Sequence, residues 1–248
     1  MNSLFDEKTK DYAKGRPTYP IEVLQILKDI GITGESVIAD IGAGTGLLTK
    51  MLAQLDCHVH AVDPNAQMLY ECKGYCSGKP NIAYVHAAAE DTTLKEHTVD
   101  VITIAQAFHW FDQTRCKIEF NRILKKNGYV VILFNEIRLD NPLSQEYNQL
   151  LREYAVKETA GISDTDHDLE KRQFFGGDFK KRYVDNLQTL DRDSFVAGAL
   201  SLSYTPSRNH DRYAAFLEKL HKLFGKYERD GKIEFLYQTE VCIGQFVN

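Results

Sequence analysis

The sequence predicts an open, doubly wound α/β sheet, on three observations. Strand-like apolar runs alternate with helical patterns through the first half of the chain, which favours parallel strands joined by crossover helices. One of those runs, Val37-Ile38-Ala39, leads straight into a glycine-rich turn, Asp40-Ile41-Gly42-Ala43-Gly44-Thr45-Gly46, and a helical segment over 47–55 leaves it. The next run, Cys57-His58-Val59-His60-Ala61-Val62, ends on Asp63, about twenty residues beyond the turn, a spacing at which α/β units place an acidic side chain beside a nucleotide. A chain of 248 residues, 43% of them apolar, suits one well-buried domain with an insertion better than two independent domains.

The elements follow in order. A helix over 21–30 precedes the first strand, with Pro20 well placed near its start and Gly31 and Gly34 to end it. Strands are expected at 37–40, 58–63, 82–86, 99–105 and 129–135, with a helix over 66–75 after the second. Beyond Asn135 the rhythm changes: 143–159 reads as a helix and 161–168 as a polar loop rich in turn formers. This stretch has no place in a minimal sheet, so 136–177 is read as an insertion over the rim of the site, where selectivity would reside. A strand over 182–190, helices over 192–202 and 211–227, and one long strand over 232–247 complete the chain. The expected organisation is therefore an N-terminal segment (1–20), a ligand-binding core (21–135), the insertion (136–177) and a C-terminal part of the sheet with its helices (178–248).

The glycine turn points to a ligand. Glycines at alternate positions let the backbone fold tightly and approach a bound group, and the NH groups of a helix start favour a negative or polar one. The dinucleotide fingerprint orders its glycines G-x-G-x-x-G, but here the third comes one residue early and Leu47 stands in its place. Asp40, before the first glycine, would repel a pyrophosphate bound close by and can receive an ammonium group, directly or through water. S-adenosylmethionine has an amino group and no phosphate, so it is preferred over NAD. Asp63 would accept hydrogen bonds from ribose hydroxyls; the alternative is that Asp63, followed by Pro64-Asn65, only caps the next helix.

These residues, with the run Ala105-Gln106-Ala107-Phe108-His109-Trp110-Phe111-Asp112, resemble class I S-adenosylmethionine-dependent methyltransferases, in the methyltransferase-11 branch that includes trans-aconitate methyltransferase-like proteins. The likeness reaches both ends of the chain, through Tyr12-x-x-x-Arg16-Pro17-x-Tyr19-Pro20, Ser201-Leu202-Ser203-Tyr204-Thr205-Pro206 and Gly231-x-Ile233-x-Phe235-x-Tyr237-x-Thr239. It implies a Rossmann-like, seven-stranded sheet whose last strand is antiparallel, and a segment carrying Tyr12, Arg16 and Tyr19 that folds over the cofactor as a lid. It also implies cofactor contacts from Asp40, Gly42, Ala43, Gly44, Asp63, Pro64, Met68, Ala89, Glu90 and Gln106. Many relatives carry an acidic residue for the adenine amino group where this chain has Ala88, which leaves the backbone around Ala89 and Glu90 to read that edge; Glu90 has the alternative of capping the next helix.

Methyl transfer from a sulfonium is an in-line displacement, so the protein mainly aligns the nucleophile and excludes water. A carboxylate acceptor needs no base, whereas a hydroxyl benefits from one. His109 is expected at the carboxyl edge of the sheet, as a base, as a holder of an anionic substrate, or as a local brace of the turn. Trp110 is expected to wall the pocket, and Arg16 to grip a carboxylate, that of the cofactor or that of the substrate.

A net charge of −5 speaks against a phosphate-backbone binder, and no N-P-P-Y signature follows the fourth strand; both favour a small-molecule acceptor over a nucleic acid. Five cysteines with no C-x-x-C pair suggest neither a metal site nor a disulfide framework, and no apolar run approaches a membrane span. A cytoplasmic methyltransferase acting on a carboxylate or hydroxyl oxygen is therefore expected. Its rivals are an NAD-dependent oxidoreductase and a non-catalytic S-adenosylmethionine-binding protein, and the oligomeric state is not read from these residues.

Overall fold

The computed structural model describes residues 15–156 and 167–247; Tyr12 lies outside them. The described residues form two compact units, one of 19–135, 167–184 and 239–247, the other of 15–18, 136–156 and 185–238.

The first unit is organised by a seven-stranded sheet. Its strands are β1 (Val37–Ile41), β2 (His58–Asp63), β3 (Ile82–His86), β4 (Val99–Ala105), β5 (Leu124–Ile137), β6 (Lys180–Asp191) and β7 (Lys232–Gly244), in the order β3-β2-β1-β4-β5-β7-β6. Strands β1 to β5 pair in parallel. On β7 the pairing reverses: Thr239 meets Asn135, and Gln245 just beyond the strand reaches back to Asn127, so rising numbers on one strand meet falling numbers on the other. The sheet is thus mostly parallel with one antiparallel strand, as expected. The chain runs outward from β1 to β3 and then returns to the opposite side as β4, so the carboxyl ends of β1 and β4 flank a topological switch point, where open α/β sheets bind ligands.

Alternation along the strands covers both faces. Ile38, Val101, Val131, Leu133, Val241 and Ile243 face α1 (Glu22–Asp29) and α2 (Leu47–Leu52), which contribute Val23, Leu27, Leu48 and Leu52. The neighbouring positions Ala39, Ile41, Ile102, Ile104, Val130 and Ile132 face α4 (Gln113–Ile123) and α6 (His167–Phe175). A period of two on strands buried from both sides gives near-continuous apolar runs, which is how the sequence revealed them. The helix over 66–75 is present as α3 (Ala66–Tyr75), and its cap is Asn65, whose side chain accepts from the backbone N–H of Gln67 and Met68.

Two boundaries and one helix depart most from the sequence reading. Strand β5 begins at Leu124 instead of 129, because polar Lys125, Lys126 and Asn127 hide the pattern where the β4 pairing shifts register. The helix expected over 143–159 is α5 (Pro142–Tyr154); Ala155 turns extended and the Val156 N–H bonds the Tyr204 carbonyl. Helix α6 was not foreseen, since its two phenylalanines are adjacent at its end instead of spaced along a stripe. It belongs to the sheet unit: Phe174 packs edge-on to Phe108 at 4.9 Å, and buried Lys171 pairs with buried Glu240 of β7.

The second unit has its own core. Helices α5, α7 (Arg192–Leu200) and α8 (Tyr213–Tyr227) pack Tyr147, Leu151, Phe195, Phe216 and Leu220 against Ile233 and Phe235 of β7.

Candidate functional site

The glycine turn leaves β1 with three glycines in the left-handed region, at φ 71° for Gly42, 55° for Gly44 and 88° for Gly46. Its NH groups are largely taken up by the protein. Gly42 and Ala43 donate to the Val62 carbonyl at 2.8 and 3.0 Å, Gly44 donates to Asp63 Oδ2 at 2.8 Å, and Gly46 donates to the Ala43 carbonyl at 3.0 Å. The end of β2 therefore braces the turn, a role for Asp63 that no spacing rule indicated. The other oxygen of Asp63 accepts from the Asn65 N–H at 2.8 Å, while Asn65 itself caps α3. Burial pushes the Asp63 carboxyl up, and those two backbone donors pull it back.

Asp40 lies beneath the turn. It is 1% exposed, and its two oxygens accept from Thr49 Oγ1 at 2.6 Å and Thr103 Oγ1 at 2.9 Å, one residue on α2 and one on β4. Burial pushes its carboxyl from 3.8 up to about 6, against the pull of both hydroxyls. The sign of the linkage follows from a raised folded value. Below about pH 4 the group is protonated folded or unfolded and costs nothing; as pH rises to about 6 the folded state must ionise a buried acid, and stability falls by about 3 kcal/mol before levelling. We expect Asp40→Asn to remove this decline, so the difference in unfolding free energy between variant and wild type should grow from pH 4 to pH 6 in the ligand-free protein. Denaturant titrations across that range check it; parallel curves for the two proteins would disprove it. A cationic ligand favours the ionised carboxylate, so its affinity should rise through the same window.

The turn after β4 comes to the glycine turn. A Cβ on Gly42 would lie 2.7 Å from Ala107 Cβ and 3.3 Å from the Phe111 ring, so only glycine allows this approach. Gln106 ends the strand at φ 56° and its side-chain amide donates to the Asn135 carbonyl at 3.1 Å, tying β4 to β5. His109 and Trp110 follow on a 3-10 turn (Phe108–Trp110) and are exposed, their rings 4.8 Å apart; His109 also lies 6.2 Å from Phe134. Glu90 accepts the N–H of Asp112 at 2.9 Å, but the cap of α4 is Asp112 itself, so Glu90 braces the residue before the helix and does not cap it. Ala89 and Met68 are buried, and Pro64 engages His86 through its carbonyl at 2.9 Å.

Thr45 is the residue of the turn that the sequence reading passed over. It is 2% exposed and its hydroxyl has no hydrogen-bond partner among the described residues. A buried polar atom without a partner, in a turn that only glycines allow, fits S-adenosylmethionine, with its polar methionine end. Asp63 would accept from the ribose, Asp40 would supply the negative field for the cationic end, and apolar Met68 and Ala89 would suit the base.

Arg16 belongs to the second unit. A Cβ on Gly15 would lie 1.9 Å from the Gly198 nitrogen, so two glycines press the segment onto α7 and deliver Arg16 to the Ser201 carbonyl, to which it donates at 3.4 Å. Tyr147 is buried, and Tyr204 and Tyr237 are half-buried. Burial pushes all three phenols up, and the positive charge of Arg16 pulls each back. Tyr204 and Tyr237 stand in the motifs that carried the family likeness, but nothing local indicated that the charge of Arg16 acts on them. Tyr19 instead packs on the α1 face of the sheet unit. Among the described residues no group of three or more His, Cys, Asp or Glu is arranged to hold a metal ion, all five cysteines are free and buried, and no helix is long and apolar enough to cross a membrane.

Comparison with known proteins agrees with this geometry. Residues 39–132 match the methyltransferase-11 family model, a methyltransferase domain. An uncharacterized methyltransferase-like protein of Schizosaccharomyces pombe is 26% identical over 242 residues, 95% of this chain and 92% of that one. An uncharacterized methyltransferase of Mycobacterium tuberculosis is 33% identical over 135 residues, 54% of this chain and 53% of its own length. A solved structure from Anaeromyxobacter dehalogenans, named provisionally as a type II methyltransferase, shares the fold with a TM-score of 0.68 at 23% identity, covering 93% of this chain and 97% of that one. With a methyltransferase domain matched over the glycine turn, β2 and β4, and a Rossmann-like sheet around it, the chain is an S-adenosylmethionine-dependent methyltransferase.

Proposed function

We propose that this enzyme methylates an oxygen, carboxylate or hydroxyl, of a small molecule, and that it works in the cytoplasm. The observation that carries the acceptor class is Arg16, a guanidinium held at the Ser201 carbonyl with its charge felt by three tyrosines of the same unit. A fixed cation among phenols suits an anionic oxygen and disfavours an ammonium acceptor. The net charge of −5 speaks against a nucleic-acid substrate, and five free, buried cysteines agree with a reducing compartment.

The cofactor when bound supplies an electrophilic methyl group on a sulfonium. The protein's own work is placement. Asp63 and the glycine turn hold one partner, and Arg16 orients the other. His109 takes the proton from a hydroxyl acceptor or, with a carboxylate, has no proton to move. Trp110 presents an apolar wall that limits water.

The test is release of S-adenosylhomocysteine from the enzyme with a panel of small carboxylic acids, phenols and amines. Turnover confined to amines would overturn the oxygen assignment, and cofactor binding with no turnover on any acceptor would favour a binding protein. If Arg16 clamps the acceptor, Arg16→Met should raise KM for an acid by about ten-fold or more, the loss of a charged hydrogen bond, and leave cofactor affinity unchanged. If it grips the methionine carboxylate, affinities for S-adenosylmethionine and S-adenosylhomocysteine should fall together. Unchanged kinetics and unchanged affinities would remove Arg16 from the site.

A further inference from the structure

We propose that Cys72 and Cys76 are a site of oxidation by hydrogen peroxide, and that the disulfide they form weakens S-adenosylmethionine binding by withdrawing the support of the glycine turn. Both belong to α3, one turn apart, with Cys72 inside the helix and Cys76 as its C-cap. A Cβ on Gly46 would lie 2.6 Å from Cys72 Sγ and 3.0 Å from Cys76 Sγ, so the two sulfurs bracket a single point on the turn. Cys76 Sγ donates to the Gly46 carbonyl at 3.7 Å, and the same carbonyl takes the Lys50 N–H at 2.9 Å in the first turn of α2. Ala43 of the glycine turn and Tyr84 of β3 pack against the pair. The other three cysteines stand elsewhere, Cys57 before β2, Cys116 on α4 and Cys242 on β7.

The pair is chemically asymmetric. Hydrogen bonding from the Cys72 thiol, together with the charge of Lys50, pulls the Cys76 thiol down against its burial, whereas the Cys72 thiol is pushed up. Cys76 therefore supplies the thiolate. Its sulfur attacks one oxygen of hydrogen peroxide, the O–O bond breaks, and the departing hydroxide regains as water the proton that Cys76 had given up. The Cys72 sulfur then attacks the sulfenic acid on Cys76, the S–O bond breaks, and a second water leaves with the Cys72 proton. Two thiols lose two electrons, and one peroxide is reduced to two waters.

The end of α3 supplies both access and leverage. Although the sulfurs are buried, Gly74, Tyr75, Ser77 and Gly78 around Cys76 are exposed, and a helix end of this kind opens locally at low cost. Residues four apart on a helix hold their Cβ atoms about 5 to 6 Å from each other, whereas a disulfide needs about 3.5 to 4.5 Å. Closing the bond thus unwinds the last turn of α3 and draws the sulfurs away from Gly46. The S–H donor to the Gly46 carbonyl is lost in the same step. Gly46 is the N-cap of α2 at φ 88° and follows Thr45, whose buried hydroxyl fits the cofactor, so a turn deprived of its backing holds that hydroxyl less firmly.

The experiment treats the full chain with a few equivalents of hydrogen peroxide, blocks remaining thiols with iodoacetamide and maps the product by mass spectrometry. Trypsin cuts after Lys73, so the disulfide appears as peptides 51–73 and 74–95 joined, and fragmentation distinguishes Cys72 from Cys57 on the first of them. Calorimetry with S-adenosylhomocysteine on the reduced, oxidised and dithiothreitol-treated protein should show a loss of affinity of about ten-fold and its recovery. Cys72→Ser and Cys76→Ser cannot close the bond, and each should keep its own reduced affinity after peroxide. No disulfide between these residues, a disulfide with unchanged affinity, or an equal loss in both serine variants would overturn the proposal. Mapping and recovery are read on wild type alone, so they decide the matter even where a variant fails to fold.

Discussion

Gly46→Val is expected to abolish S-adenosylmethionine binding and to lower stability by about 2 to 5 kcal/mol, the sum of a left-handed backbone penalty and overpacking. Gly46 holds φ 88° as the N-cap of α2, and its missing Cβ would stand 2.6 Å from Cys72 Sγ and 3.0 Å from Cys76 Sγ. A branched side chain therefore meets two buried sulfurs in a conformation it resists. The turn can relieve this only by moving, and Thr45 moves with it. Adding Cys72→Ala to Gly46→Val separates the two causes: stability should recover in part, because one clash is removed while the backbone penalty stays. Calorimetry with the cofactor and urea unfolding of both variants measure this. Wild-type affinity in Gly46→Val would remove the turn from the cofactor site.

Gly15→Ala is expected to lower acceptor turnover by about 10²-fold, the scale of a 1 Å misplacement, and stability by about 1 to 3 kcal/mol. The added methyl would lie 1.9 Å from the Gly198 nitrogen and 2.3 Å from the Ala197 carbonyl carbon, and both are backbone atoms that no rotamer change can clear. The segment must lift from α7, carrying Arg16 away from Ser201. Gly198→Ala should act in the same direction, since its Cβ would meet the Gly15 oxygen at 2.8 Å. Kinetics on an acid identified by the acceptor screen, with thermal unfolding, test the pair; unaltered rate and stability in both variants would show that this contact does not position Arg16.

Much of the sheet was legible because its signals are local. The strands at the core of the first unit are buried on both faces and so read as apolar runs, and the glycine turn declares itself by residue type at positions where the structure finds positive φ. Asp112 is a cap recognisable from its place before a helix, whereas at α3 the cap is Asn65, two residues beyond the candidate Asp63. Helix α6 escaped because its polar sequence lacks a stripe, and its adjacent phenylalanines find their partners only on distant elements.

By itself the sequence determined the order of the strands and of the helices other than α6, the glycine turn, the acid that ends β2 and the family likeness, because each depends on neighbours within a few residues or on a motif. Tertiary structure alone decided what those residues do. Asp40 is tied to Thr49 and Thr103 rather than aimed outward, Asp63 braces Gly44, and the charge of Arg16 acts on tyrosines of α5, of the loop after α7 and of β7. The physical reason is that such partners are selected by which faces the folded chain must bury, and a side chain's hydrogen bonds and pKa follow from that burial, which spacing along the chain does not encode.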